Sequence, residues 1–173
     1  SERLGRARRA RVWKDQGVAR TLDSLDRWFD DLELGDRFES TRGRTVTEAD
    51  VYLFAGLSGD QYQLHTDAEF ARTGPFGERV AHGMLTLALV SGLEYALFAT
   101  GEKVLAFYGF DKVRMVAPVH FGDTIRLRGE IAGLDPRDDE RGIVLLREQI
   151  VNQRDEVVAY ADKRLLYARR PAA

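Results

Sequence analysis

In the second half of the chain, apolar and polar residues alternate with a period of two. Ile125, Leu127 and Ile131 are interleaved with Arg126, Arg128 and Glu130, the pattern of a sheet with one face covered and the other in water. Such runs predict strands over residues 104–116, 124–133, 143–151 and 157–167. The polar stretches 135–142 and 152–155 are of hairpin length. The first half has a longer period. Thr47-Glu48-Ala49-Asp50 has the form of a capping box, and Val51, Phe54, Ala55 and Ser58 then share one face of a helix that Gly59 ends. Residues 60–65 read as loop and 67–72 as one or two helical turns. Residues 84–99 are apolar on nearly every side, which predicts a long helix buried all round, with Gly101 just past its end. Residues 37–45 read as a strand. Ahead of it, Leu22, Leu25, Trp28 and Phe29 stand at helical spacing and predict a helical arm docked on the body or on a second subunit. A strand, helices, one long buried helix and then an antiparallel meander make an α+β order in which a sheet wraps a helix.

The chain has 173 residues, enough for one domain that needs no covalent staples. It shows no internal repeat and no interdomain linker. The absence of cysteine excludes a disulfide framework, a thiolate nucleophile and any Cys-ligated metal. A net charge of −2 argues against a general nucleic-acid or anionic-membrane binder. The longest apolar stretch contains Glu94 and is too short to span a bilayer. The N-terminal stretch has no apolar signal core, so a cytoplasmic protein is expected. The one local charge excess lies in residues 1–20, with Arg3, Arg6, Arg8, Arg9, Arg11, Lys14 and Arg20; it reads as a solvated helical arm. The expected organisation is a basic arm over 1–28, a single domain over 29–168 and a tail over 169–173.

Three features could carry chemistry. Asp60 and His65 lie five residues apart just after a helix, so a carboxylate and an imidazole can converge on one water and move its proton. The competing reading makes Asp60 a turn cap and His65 a surface residue. Gly83 stands at the start of the long helix, where free backbone N–H groups can hold a developing oxyanion, unless the glycine serves only close packing. Ser91 lies eight residues further on, on roughly the same side of that helix, and could position a water or a carboxylate. Alternatively, its hydroxyl bonds the carbonyl four residues earlier in its own helix.

Taken together, Asp60-x-x-x-x-His65, Ala81-His82-Gly83-Met84-Leu85 and Ser91-Gly92 resemble the signature of the MaoC-like dehydratases and (R)-specific enoyl-CoA hydratases. Thr47-Glu48-Ala49-Asp50-Val51, Ala55-Gly56-Leu57-Ser58-Gly59-Asp60 and Ala117-Pro118-Val119-His120-Phe121-Gly122-Asp123 match as well. The resemblance implies a single hot-dog fold, an antiparallel sheet around a long central helix, and a homodimer. It implies a lyase that adds water to a 2-enoyl thioester or removes it from a 3-hydroxyacyl thioester, by syn addition. Asp60 and His65 become the catalytic pair, Gly83 the oxyanion donor and Ser91 a hydrogen-bonding support. No metal or separate cofactor is implied, because CoA or phosphopantetheine comes with the substrate.

The family loop usually reads Asp-x-Asn-Pro-hydrophobic-His. Here Tyr62 and Gln63 stand in place of the Asn-Pro pair. Tyr62 either narrows the pocket or bonds the substrate, and a simple straight-chain fatty enoyl-CoA is not the expected substrate. An acyl carrier protein is a candidate partner. Arg72, Arg79, Lys112 and Arg114 are candidates for CoA phosphates. His82 is assigned to packing or loop bonding, and His120 to a structural or surface role. Two other readings stay open. One is a hot-dog thioesterase using Glu94, the only acid in 84–99. The other is a non-catalytic acyl-thioester-binding subunit.

Overall fold

The computed structural model describes residues 19–98 and 102–171. After a 3-10 turn at Phe29–Asp31 come strands β1 (Arg37–Glu39) and β2 (Arg44–Thr45). Next are helices α1 (Glu48–Ser58), α2 (Gln63–Thr66), α3 (Ala68–Arg72) and α4 (Gly83–Tyr95). The meander of β3 (Val104–Met115), β4 (Thr124–Pro136), β5 (Arg141–Val151) and β6 (Val157–Ala168) completes the order. The sheet runs β1-β4-β5-β6-β3, with β2 paired to β4 off this path. All strand pairings are antiparallel.

The predicted alternation of β4 is real: Ile125, Leu127 and Ile131 are buried in one core with Leu85, Val90 and Leu93 of α4. The inner face admits little variation. A Cβ on Gly129 would lie 2.3 Å from Phe38 Cζ, so only glycine lets β1 and β4 pair with that ring between them. The capping box also forms: Thr47 Oγ1 accepts from Asp50 N–H, and the Asp50 carboxylate accepts from Thr47 N–H.

Several expectations need correction. The strand predicted over 37–45 is two short pieces. Between them Ser40 pairs with Leu127, its N–H to the Leu127 carbonyl at 2.7 Å and its Oγ to the Leu127 N–H at 3.0 Å. Residues 60–65 are not all loop, because α2 begins at Gln63 and carries His65. The helical arm over 1–28 does not extend through its described part, since 19–28 contains no helix. The apolar residues do dock, and they dock on this chain's own body: Leu22 and Leu25 are buried in the core. Their backbone is spoken for elsewhere. Leu22 N–H donates to Arg37 O and Leu25 N–H to Leu97 O, both at 2.7 Å, so tertiary pairing replaces intrahelical bonding. Residues 1–18, which hold most of the arginines of the basic arm, lie outside the described residues, as does Gly101. Arg20 grips the buried Asp36 through Nε at 2.9 Å and Nη2 at 2.5 Å.

The long helix is shorter than predicted, and it is not buried all round. Leu85, Thr86, Val90, Leu93 and Glu94 face the sheet, while Met84, Ala88, Ser91, Gly92 and Tyr95 form an outward stripe, with Met84 65% and Tyr95 68% exposed. β3 is the other open feature. It ends the sheet, and Leu105, Phe107, Tyr108, Phe110 and Met115 are exposed along it.

The inner face also holds charge. Lys163 of β6 is buried and pairs with Glu94 of α4 and with Glu148 of β5, the latter at 3.0 Å. Among the described residues no helix is long and apolar enough to cross a membrane.

Candidate functional site

Gly59 ends α1 with φ 78°, a left-handed conformation that costs a glycine nothing and turns the chain sharply into the Asp60 loop. Asp60 organises that loop. Its N–H donates to Ser58 Oγ and its Oδ1 accepts from Tyr62 N–H, each at 3.2 Å. Gln61 Nε2 donates back to Ala55 O at 3.2 Å. Tyr62 is the N-cap of α2 but offers no side-chain cap, and Gln63 is the first helical residue. The hydroxyl of Thr66 donates to the carbonyls of Gln61 and Tyr62. The turn is thus held by bonds other than those an Asn-Pro pair would supply. Tyr62 is exposed, with its ring edge-on to His65 and Phe70 at 6.1 and 6.0 Å.

The geometry fixes the tautomers of two histidines. His65 Nδ1 lies 2.7 Å from Val80 O. A carbonyl oxygen only accepts, so Nδ1 carries the hydrogen and Nε2 holds the lone pair. His82 Nε2 lies 3.0 Å from Asp60 O, so that nitrogen is protonated, and its Nδ1 is buried without a hydrogen-bond partner. The two imidazoles stack, 3.8 Å between centroids and 30° between planes, and Phe54 packs on His82 at 5.0 Å. Burial pushes the His82 imidazole below its ordinary value; the bond to Asp60 opposes this and the neighbouring His65 adds to it.

The sequence assigned His82 to packing or loop bonding, and it does both. It is also the N-cap residue of α4, which brings the first turn of that helix beside the Asp60–His65 pair. Gly83 opens α4, and a Cβ there would lie 3.1 Å from Met115 Cγ. Close packing and a free helix N-terminus therefore coincide at this position.

Asp60, His65 and His82 each place a potential ligand atom within 4.8 Å of the others. As a metal site the trio fits poorly. His82 Nε2 spends its hydrogen on the Asp60 carbonyl, and its other nitrogen is buried, so its lone pair is not offered to an ion.

Other candidates lie apart. Ser91 donates to Ala88 O of its own helix at 2.7 Å and is exposed; its bond goes neither to Asp60 nor to the loop, contrary to the supporting role implied by the family. Gln63 contributes its carbonyl, which accepts from Asp67 N–H at 2.9 Å. Glu94 is sealed in the core against Lys163 and has no route to a thioester. Arg72 pairs with Glu69, and Arg79 with Glu48. Lys112 sits over the Tyr160 ring and Arg114 donates to Val113 O. His120 Nδ1 is 3.0 Å from the exposed Glu78. Sequence reading missed Lys163 and Glu148, although a signal was present: both are charges on the inward row of an alternating strand.

A family model described as MaoC like domain matches residues 31–153. The 3-hydroxyacyl-thioester dehydratase Z of Mycobacterium tuberculosis is 37% identical over 102 residues, 58% of this chain and 68% of that protein. The (R)-specific enoyl-CoA hydratase of Rhodospirillum rubrum is 35% identical over 115 residues, 66% of this chain and 76% of that protein. The X-ray structure of the monoamine oxidase regulatory protein from Archaeoglobus fulgius superimposes with a TM-score of 0.79 at 35% identity, over 88% of this chain and 99% of that one. A helix laid on one antiparallel sheet is here the hot-dog fold of the MaoC-like dehydratases. The chain belongs to the MaoC-like domain family.

Proposed function

We propose that this chain is a hydro-lyase that adds water to a 2-enoyl thioester, or removes it from a 3-hydroxyacyl thioester, with Asp60 and His65 as its acid–base pair. Relatives named for these reactions support the class. The observation that carries the site is the juxtaposition of a half-exposed carboxylate with an imidazole whose Nε2 lone pair is set by the Val80 carbonyl. A carboxylate oxygen of Asp60 and a ring nitrogen of His65 lie within 4.8 Å, close enough for both side chains to hold one water between them.

That water is held on one face of the substrate. Its oxygen adds to C3 as His65 Nε2 takes a proton, with Asp60 orienting the water; C2 then receives a proton from the same pair, so the H and OH enter on one side. Negative charge collects meanwhile on the thioester oxygen, and in this reading the Gly83 N–H, at the positive end of α4, stabilises it. The reaction draws only on protein groups and on the CoA or phosphopantetheine that carries the acyl chain. Tyr62 beside His65 favours an acyl group other than a plain straight chain. A carrier protein is an alternative bearer of the thioester, and the cytoplasm is the inferred location.

The working unit is a homodimer in this reading. The open β3 edge carries an apolar row that water covers poorly, and Met115 of that strand touches the Gly83 end of α4, so a second copy would wall the site.

The test is hydration of crotonyl-CoA and of branched and dicarboxylic enoyl-CoAs, measured by loss of the conjugated-thioester absorbance and by product mass. Water addition that disappears in Asp60→Asn supports the reading. Release of free CoA, or binding without turnover across the panel, overturns it.

A further inference from the structure

We infer that His82 is a positioning residue that fits the acid–base pair to the start of α4 through two separate contacts: a hydrogen bond to the Asp60 backbone and a stacked ring beneath His65. The inference rests on the proposed roles of Asp60 and His65. His82 is 2% exposed, and its side chain is aimed away from solvent and into the loop. Its Nε2–H reaches the Asp60 carbonyl at 3.0 Å, yet it stands 4.0 Å from the Asp60 carboxylate. It therefore holds the backbone of Asp60 and makes no hydrogen bond to the carboxylate, whose Oδ1 accepts from Tyr62 N–H.

The ring does a different job. At 3.8 Å and 30° it is a flat support for His65, and the Val80 carbonyl fixes the rotation of that upper ring. Phe54 of α1 backs the support at 5.0 Å. The groups facing His82 are thus Phe54 from α1, the Asp60 loop and His65 of α2. A neutral His82 serves best here, because a second cation under His65 would oppose the proton that His65 must take up. The buried Nδ1 without a partner is a cost that a purely structural position would shed by carrying an apolar residue.

His82 is also the residue immediately before Gly83. Shifting its ring displaces the carboxylate, the imidazole and the oxyanion donor relative to one another, and about 1 Å of misplacement can cost on the order of a hundredfold in rate.

Two variants separate the contacts. His82→Phe keeps a flat ring and loses the donor, whereas His82→Gln keeps an amide donor and loses the ring. Each is expected to lower kcat by about tenfold or more, with KM for crotonyl-CoA changed by less than about threefold. In parallel, 15N-labelled protein reports the His65 tautomer, and with three histidines in the chain the spectrum is assignable. Wild type is expected to show a single His65 tautomer with hydrogen on Nδ1, and His82→Gln a mixture of tautomers. Wild-type kcat in either variant overturns the inference, as does a rise in KM at constant kcat. If one variant fails to fold, the other decides alone. If wild type itself turns nothing over, the functional reading falls, while the His65 spectra of wild type and His82→Gln still test the positioning, and identical spectra overturn it.

Discussion

Lys163 of β6 reaches Glu148 of β5 across the inner face of the sheet, Nζ to Oε1 at 3.0 Å. The two are diagonal neighbours, since Glu148 is opposite Ala161 and Lys163 opposite Leu146. Glu94 of α4 meets the same ammonium, and the buried Tyr167 lies close enough for these carboxylates to help burial raise its phenol. Burial pushes Glu148 up to about 8, reinforced by Glu94 and opposed by Lys163. Burial pulls Lys163 down, but Glu148 and Glu94 outweigh it and the net direction is upward.

Stability should therefore depend on pH. The folded value of Glu148 lies above its ordinary 4.5, so between these values the native state holds a proton that the unfolded chain has lost. Stability from this group is whole below about 4.5 and falls as pH rises towards about 8. Glu148→Gln should flatten that slope and leave the protein more stable than wild type above about pH 8, by a few degrees in Tm. Urea or thermal melts of both proteins from pH 5 to 9 check it; parallel curves would refute the assignment.

Removing either partner of the acid–base pair should be costly, and removing the serine should not. Asp60→Asn and His65→Ala are each expected to lower kcat at least a hundredfold. Ser91→Ala should stay within about threefold, because its hydroxyl bonds only its own helix in this structure. Steady-state kinetics on one enoyl-CoA with all three variants gives the comparison, and a Ser91→Ala loss as large as that of Asp60→Asn would restore the supporting role.

Gln63 occupies the first helical position of α2, where proline is welcome because that N–H has no helical acceptor. Tyr62 before it already has ψ 133°, a conformation that proline imposes on its predecessor. Gln63→Pro should therefore stabilise the fold by about 0.4–1 kcal/mol through the unfolded state. Tyr62→Asn should supply a side-chain cap and broaden the range of acyl groups turned over. Denaturant titration reads the first effect and kcat/KM across the enoyl-CoA panel the second.

The apolar edge of β3 should set the oligomeric state. Phe107→Glu, at an exposed site on this edge, is expected to convert a dimer to a monomer in light-scattering chromatography and to lower activity, since Met115 of the same strand abuts Gly83. A monomeric wild type would refute the dimer directly.

Much of this architecture was legible in the chain because period and burial coincide. The alternation of Ile125, Leu127 and Ile131 marked the inward row of β4, and the Thr47–Asp50 pair marked the start of α1. What misled was apolarity with two explanations. Leu22, Leu25 and Phe29 have helical spacing, yet that segment takes its hydrogen bonds from Arg37 and Leu97. Residues 84–99 are apolar all round, but the chain covers only the side holding Leu85, Val90 and Leu93. The approach of Asp60 to His65 was legible from their five-residue spacing just after a helix. Periodicity could not show that His82 would lie beneath His65, because that contact arises only when α4 starts against the Asp60 loop.

The segment over 19–28 acts as a tie between the two ends of the chain. Leu25 N–H and the Ser24 hydroxyl both bond Leu97 O, and the Tyr167 hydroxyl donates to Leu25 O. Positions 142 residues apart in sequence are thereby joined, and such distant closures are slow to form. The turn that follows α4 consequently gets its seal only when β6 and this early segment arrive together, and the barrier to folding will be governed as much by that meeting as by the hairpins of the meander.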